Sequence, residues 1–155
     1  MLCETIQPED LSVQCTDPFA ELDPGGSGSP WFSFSLPEPR IFCSKLFRTL
    51  GPTDGEAAAL RLGQWLTEGR YAALVMDYRG AVITADPAAS EMLADASAAA
   101  FPRGTLVAYL GEGESAPFTR LMTTLLRDRG VKAARASEFE TLYDALLTRL
   151  NSPVE

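Results

Sequence analysis

The stretch YAALVM, residues 71 to 76, constrains the fold more than any other part of this chain. It is a continuous apolar run rich in strand-forming residues, without the polar alternation of a strand that has one wet face. Its length is that of a strand covered on both sides, so it is read as the middle of a sheet with helices packed against it.

The segments around it supply the rest of that sheet. WFSFSL (31 to 36) alternates at period two, and IFCSKLF follows after PEPR, whose prolines force a turn, so the pair reads as an antiparallel hairpin. GPTDGEAAALRLGQWLTEG reads as a first helix. Thr53 and Glu56 form a capping box, Ala58, Leu62, Trp65 and Leu66 share a face, and Gly69 is the stop. After DYRGAVITADPAAS, the residues Ala89, Met92, Leu93, Ala96 and Ala100 keep the spacing of a second helix whose face is built mainly from small side chains. TLVAYL (105 to 110) is another buried strand. GEGES then leads into a third helix with Ser115 as cap, Pro117 near its start, and a stripe of Phe118, Leu121, Met122, Leu125 and Leu126. Gly130 ends that helix, VKAARA is a short strand, and Ser137 with Glu140 forms a second capping box. The last helix aligns Phe139, Leu142, Tyr143, Leu146, Leu147 and Leu150.

The order is β-β-α-β-α-β-α-β-α. Strands alternating with amphipathic helices imply an α/β fold: a mixed, mostly parallel sheet opened by a hairpin, with right-handed crossovers and four helices.

The formal charge of -8 over 155 residues is unevenly placed. Residues 1 to 40 hold seven acidic residues (Glu4, Glu9, Asp10, Asp17, Glu21, Asp23, Glu38) against Arg40 alone, and the remaining 115 residues carry 14 acidic and 12 basic groups. The chain therefore divides into an acidic, Pro/Gly/Ser-rich arm, residues 1 to 30, ending in DPGGSGSP, and a single domain, residues 31 to 152. Within the arm, DPFAEL is the piece able to form one helical turn and dock Phe19 and Leu22 on the domain. An acidic head and no basic stripe argue against nucleic acid as a partner. No run of about 18 apolar residues is present to span a bilayer and no signal-peptide pattern opens the chain, so a cytoplasmic location is expected. Cys3, Cys15 and Cys43 form no C-x-x-C pair and read as free thiols, Cys43 as a small core residue. The sequence has no histidine, which removes Ser-His and Cys-His nucleophile pairs and imidazole metal ligands. With two lysines, Lys45 and Lys132, in no recognisable motif, no catalytic residue, metal site or cofactor is expected.

RIFCSKLFRTLGPTDGEAAALRLGQWL, YAALVMDYRGAV and RASEFETLYDALL together resemble the STAS domain, the module of sulfate transporters and anti-sigma-factor antagonists. The likeness spans residues 31 to 150 and is nearest to the divergent branch that also resembles small lipid-binding carriers. It implies a non-enzymatic protein-interaction module of bacterial signalling, with a kinase or regulatory factor as partner and a homodimer left open. Signalling members of that family carry a phosphorylated serine at the start of the second helix. Here Asp86-Pro87-Ala88-Ala89 stands in that place, and the nearest hydroxyls are Thr84 and Ser90. ALVMDYRGAVITADPAASEML also resembles the strand, turn and helix of a PAS sensor domain, although the later helices occupy the space where PAS strands belong.

The candidate contact or phosphorylation residues are thus Asp77, Thr84, Asp86, Ser90, Glu112 and Glu114, at strand carboxyl ends where ligands of open α/β sheets gather. Asp86 before Pro87 also reads simply as a helix cap. Asp77 and Asp86 lack the third ligand of a magnesium site. A carrier of a small hydrophobic ligand is the alternative function, with Ala89, Met92 and Phe118 lining its cavity.

Overall fold

The computed structural model describes residues 17–21, 31–36, 40–46, 52–83 and 86–150. Among the described residues, five strands and four α-helices follow the expected order: β1 Trp31–Leu36, β2 Ile41–Leu46, α1 Pro52–Gly69, β3 Ala73–Asp77, α2 Pro87–Ala100, β4 Leu106–Leu110, α3 Ala116–Asp128, β5 Lys132–Ala136 and α4 Phe139–Leu150. Two short 3-10 turns, Pro18–Glu21 and Gly113–Ser115, complete them. The sheet order is β1-β2-β3-β4-β5. β1 runs antiparallel to β2, with Trp31 opposite Leu46 and Leu36 opposite Ile41, and all later neighbours are parallel. The fold is the mixed, mostly parallel α/β sheet that the sequence implies, and YAALVM supplies its middle strand.

A strand order that repeats the chain order has a geometric consequence. Each crossover steps the same way, so crossovers of one hand put their helices on one face of the sheet. Leu62 and Leu66 of α1, Ala94 of α2, and Phe118, Met122 and Leu126 of α3 accordingly share one core with Phe42, Leu74, Met76, Val107 and Tyr109 of the sheet. The opposite face, Ile41, Cys43, Ala73, Val75, Leu106, Ala108 and Leu110, is closed by Phe139, Leu142 and Leu146 of α4 and by Phe19 of the first 3-10 turn. All five residues of β3 and all five of β4 are buried, as strands covered on both faces must be.

The helix faces repay a closer look. In α3, Phe118, Met122 and Leu126 are buried, with Leu121 and Leu125 on the flank. In α2 the fully buried residues are Ser90, Ala94 and Ser97; of the expected face, Leu93 packs against this core and Ala89, Ala96 and Ala100 are half-buried, while Met92 is 57% exposed. An alanine-rich helix carries almost no polarity contrast, so its small residues can turn either way. Close approach decides: a Cβ on Gly63 of α1 would fall 2.5 Å from the Ala100 carbonyl oxygen, so α1 and α2 meet at backbone distance.

Several predicted caps differ. α1 runs through Gly69, and Arg70, with φ of 54°, takes the left-handed position instead. α1 begins at Pro52, which puts Thr53 inside the helix; the Thr53 side chain lies outside the described residues, as do Leu22 and Thr84. α4 starts at Phe139, so Glu138 holds the cap position, and its carbonyl accepts from the Leu142 N–H at 3.2 Å in place of a Ser137–Glu140 box. α3 ends as expected at Gly130 (φ 83°), where the Val131 N–H reaches Leu126 O at 2.9 Å and the Gly130 N–H reaches Arg127 O at 3.0 Å.

Candidate functional site

The carboxyl ends of β2, β3 and β4 lie at one edge of the sheet, and β3 delivers Asp77 there. Its side chain is 0% exposed. A carboxylate in such a place must be fully hydrogen-bonded or it cannot stay ionised. Lys45 Nζ donates to Oδ2 at 3.0 Å, and the Arg79 backbone N–H and Nε each donate to Oδ1 at 2.9 Å, while Arg79 Nη2 donates to Oδ2 at 3.0 Å. Arg79 turns its remaining guanidinium donors to Asp17, from Nη1 to Oδ2 at 3.0 Å and from Nη2 to Oδ1 at 3.2 Å. Arg79 is held more firmly protonated than an ordinary arginine: burial works against its charge, but the hydrogen bonds and charges of Asp77 and Asp17 outweigh that cost. The result is two carboxylates and two cations in alternation, neutral as a group. It ties the end of the central strand to a segment 62 residues earlier in the chain.

Asp77 is thus withdrawn from the contact surface on which the sequence placed it. Asp86 is exposed, and its Oδ2 accepts from the Ala89 N–H at 2.9 Å, which makes it the N-cap of α2 with Pro87 as the first helical residue. Ser90 is 2% exposed. It is a core position rather than the solvated one its polarity implies, and phosphorylation there would require α2 to lift. Glu112 and Glu114 are exposed. Their loop is pinned rather than loose: Gly111 N–H donates to Ala136 O at 3.1 Å and Arg135 Nη2 donates to Gly111 O at 2.9 Å. Ser115 stands at the cap position of α3 without capping it; its hydroxyl donates to Glu112 O at 3.1 Å and accepts from the Glu112 N–H at 3.3 Å.

Beyond β3, Tyr78, Arg79 and Gly80 form a turn closed by Ala81 N–H to Tyr78 O at 3.0 Å, and residues 81 to 83 make no strand. The hairpin of the PAS pattern is not formed by these described residues. Val82 in this loop is 50% exposed.

Ala89, Met92 and Phe118 do not line a common cavity. Phe118 packs edge-on against Tyr78, with centroids 5.3 Å apart, inside the core, and Met92 faces outward. A cavity of about 20 Å³ instead lies between α1, α2 and the sheet, lined by Ala58, Ala59, Leu62, Leu74, Met76, Tyr78, Leu93, Ser97, Phe101 and Tyr109. That volume suits a single water-sized guest. Burial raises the pKa of Tyr78 and of Tyr109, so both hydroxyls remain protonated donors. Among the described residues no group of histidine, cysteine or acidic side chains is arranged to hold a metal, and no helix is long and apolar enough to cross a membrane.

The fold and this edge define an α/β domain with a charge-locked central strand and an acidic loop rim. Comparison with family models, with curated proteins and with solved structures finds no match to this chain.

Proposed function

We propose that this chain is a STAS-like regulatory module of bacterial signalling that acts by binding another protein, without chemistry of its own. Its contact surface is the carboxyl rim of the sheet: the loop after β3, the first turns of α2, and the loop before α3. The observation that carries the reading is the exposure there of two large apolar side chains, Val82 at 50% and Met92 at 57%, on the elements that carry the exposed acids Asp86 and Glu91. Apolar anchors rimmed by charge are the usual composition of a protein contact. The element order, a hairpin followed by parallel β-α units, is also the order that the STAS resemblance implies.

The partner would present basic groups around an apolar pocket. The test is affinity purification from the native cell with the wild-type chain and with Val82→Glu/Met92→Glu, alongside circular dichroism and intact-mass analysis. A protein recovered by the wild type and lost with the folded variant supports the reading; identical recoveries overturn it.

The alternative reading, a carrier of a small hydrophobic ligand, has less support, because the cavity under α1 and α2 is about 20 Å³, room for a water-sized guest. The same intact-mass measurement under native conditions separates the two, because a carrier retains an extra small-molecule mass.

A further inference from the structure

We propose that the slot filled by Phe19, together with the Arg79 guanidinium beside it, is a recognition site for short peptide segments that carry an acidic residue two positions before an aromatic one. The chain's own Asp17-Pro18-Phe19 is its resident competitor.

The slot is defined by what occupies it. Phe19 is 1% exposed and sits edge-on to Phe34 of β1, with centroids 5.2 Å apart, and to Phe139 of α4, with centroids 5.9 Å apart. Ile41, Val75 and Leu142 belong to the same core, so the aromatic ring is received by the face of the sheet that α4, among the described helices, covers. Asp17 gives the second determinant, a two-pronged carboxylate contact to Arg79. The Phe19 N–H donates to Asp17 Oδ1 at 3.1 Å, which folds the tripeptide so that carboxylate and ring point at their two receptors together. Arg79 does not depend on Asp17 for its position, because Asp77 holds it independently through Nε, Nη2 and its backbone N–H. The guanidinium half of the receptor is therefore preorganised, and planar guanidinium-carboxylate pairing gives it directional selectivity.

The segment itself is slight. A single 3-10 turn, with one aromatic and one carboxylate as its polar and apolar anchors, is the kind of short linear element that a partner can replace. A tethered occupant works at an effective concentration on the order of millimolar. An outside peptide of the same chemistry thus binds the intact chain weakly, and binds strongly once the resident segment is disabled. This site is built from Phe19's slot and Arg79, not from Val82 and Met92, and stands whether or not those two side chains meet a partner.

The experiment uses the full chain carrying Asp17→Ala/Phe19→Ala and a fluorescein-labelled peptide of residues 16 to 23, TDPFAELD, read by anisotropy. The variant should bind the peptide at least about 10-fold more tightly than the wild-type chain. Peptides carrying Phe19→Ala or Asp17→Ala should lose most of that gain. A folded variant that binds no tighter than wild type, or that takes the Phe19→Ala peptide equally well, overturns the proposal. Should the variant fail to fold, a protease site placed within the GGSG stretch of the full wild-type chain is cut after folding. Labelled peptide should then exchange into the cut chain and not into the uncut one, and equal labelling of both refutes the site.

Discussion

Asp77→Ala is the sharpest perturbation available, because it removes the centre of a buried charge lattice and leaves the cations in place. The deleted carboxylate accepts from Lys45 and three times from Arg79, and the side chains left behind are 17% and 15% exposed. Breaking a buried ion pair from one side costs about 3–5 kcal/mol. Lys45 and Arg79 each keep a narrow window on solvent, and Arg79 keeps Asp17, which places the expected loss at the lower end, about 3 kcal/mol. For a chain of this size that is a fall of roughly 6–12 °C in Tm. Asp77→Asn keeps shape and some acceptor capacity and should cost less, roughly 1–3 kcal/mol. Urea unfolding followed by circular dichroism gives both values. The triple change Lys45→Met/Asp77→Leu/Arg79→Met should recover much of the loss, since a buried ion group exchanged for apolar residues is often close to neutral and the Asp17 left over is the most exposed of the four, at 24%. A loss under about 1 kcal/mol for Asp77→Ala, at an unchanged denaturant slope, would refute the reasoning.

Other expectations follow from the same structure. Gly111→Ala should destabilise by about 1–3 kcal/mol in urea, since a new Cβ there strikes the Thr119 side chain in a packed site. Gly130→Ala should cost about 1 kcal/mol, because its φ of 83° is left-handed; thermal unfolding will show it. Burial, with the Asp77 charge as a lesser cause, raises the Cys43 thiol above its ordinary 9.0. Folded and unfolded chains therefore differ only when the unfolded thiol ionises: stability is complete below pH 9 and falls as pH rises beyond it, at up to about 1.4 kcal/mol per pH unit for this group. Tyr78 and Tyr109, raised above 10.0 by burial, steepen the fall from pH 10 upward. Urea unfolding between pH 8 and 11 tests this, with Cys43→Ala removing the first part of the slope. Cys43 should also resist thiol reagents at pH 8 until urea unfolds the chain.

The sequence shows the strands plainly because their signal is local. YAALVM and TLVAYL have no charged residue to compete with burial, and WFSFSL alternates cleanly around prolines that stop it. α3 is equally plain, since Phe118, Met122 and Leu126 contrast with Arg120 and Arg127. α2 is not: PAASEMLADASAAA offers only Met92 and Leu93 as bulky apolar residues, and Leu93 packs against the core while Met92 stays 57% exposed. The charge lattice was the other gap. Asp77, Arg79, Lys45 and Asp17 are scattered over 62 residues, and no spacing rule connects them. One signal was available: an aspartate flush with a fully apolar strand needs a cation, and of the two lysines Lys45 lies on the strand that pairs beside it. Phe19, the one aromatic residue of residues 1 to 30, was legible as the arm's docking residue in DPFAEL, and it is buried on the domain.

The face of the sheet opposite α1, α2 and α3 has an unusual history during synthesis. Its residues from Ile41 to Leu110 are made early, yet their cover among the described residues is α4, which is made later than every strand, and a turn that precedes them all. Until α4 has left the ribosome, Phe19 is the described residue from outside the sheet that can shelter Cys43, Val75 and Ala108 on this face. The turn at Pro18–Glu21 can therefore serve as a first, provisional lid over the nascent sheet, and the Phe19–Phe139 contact records where that lid meets the helix that completes the seal.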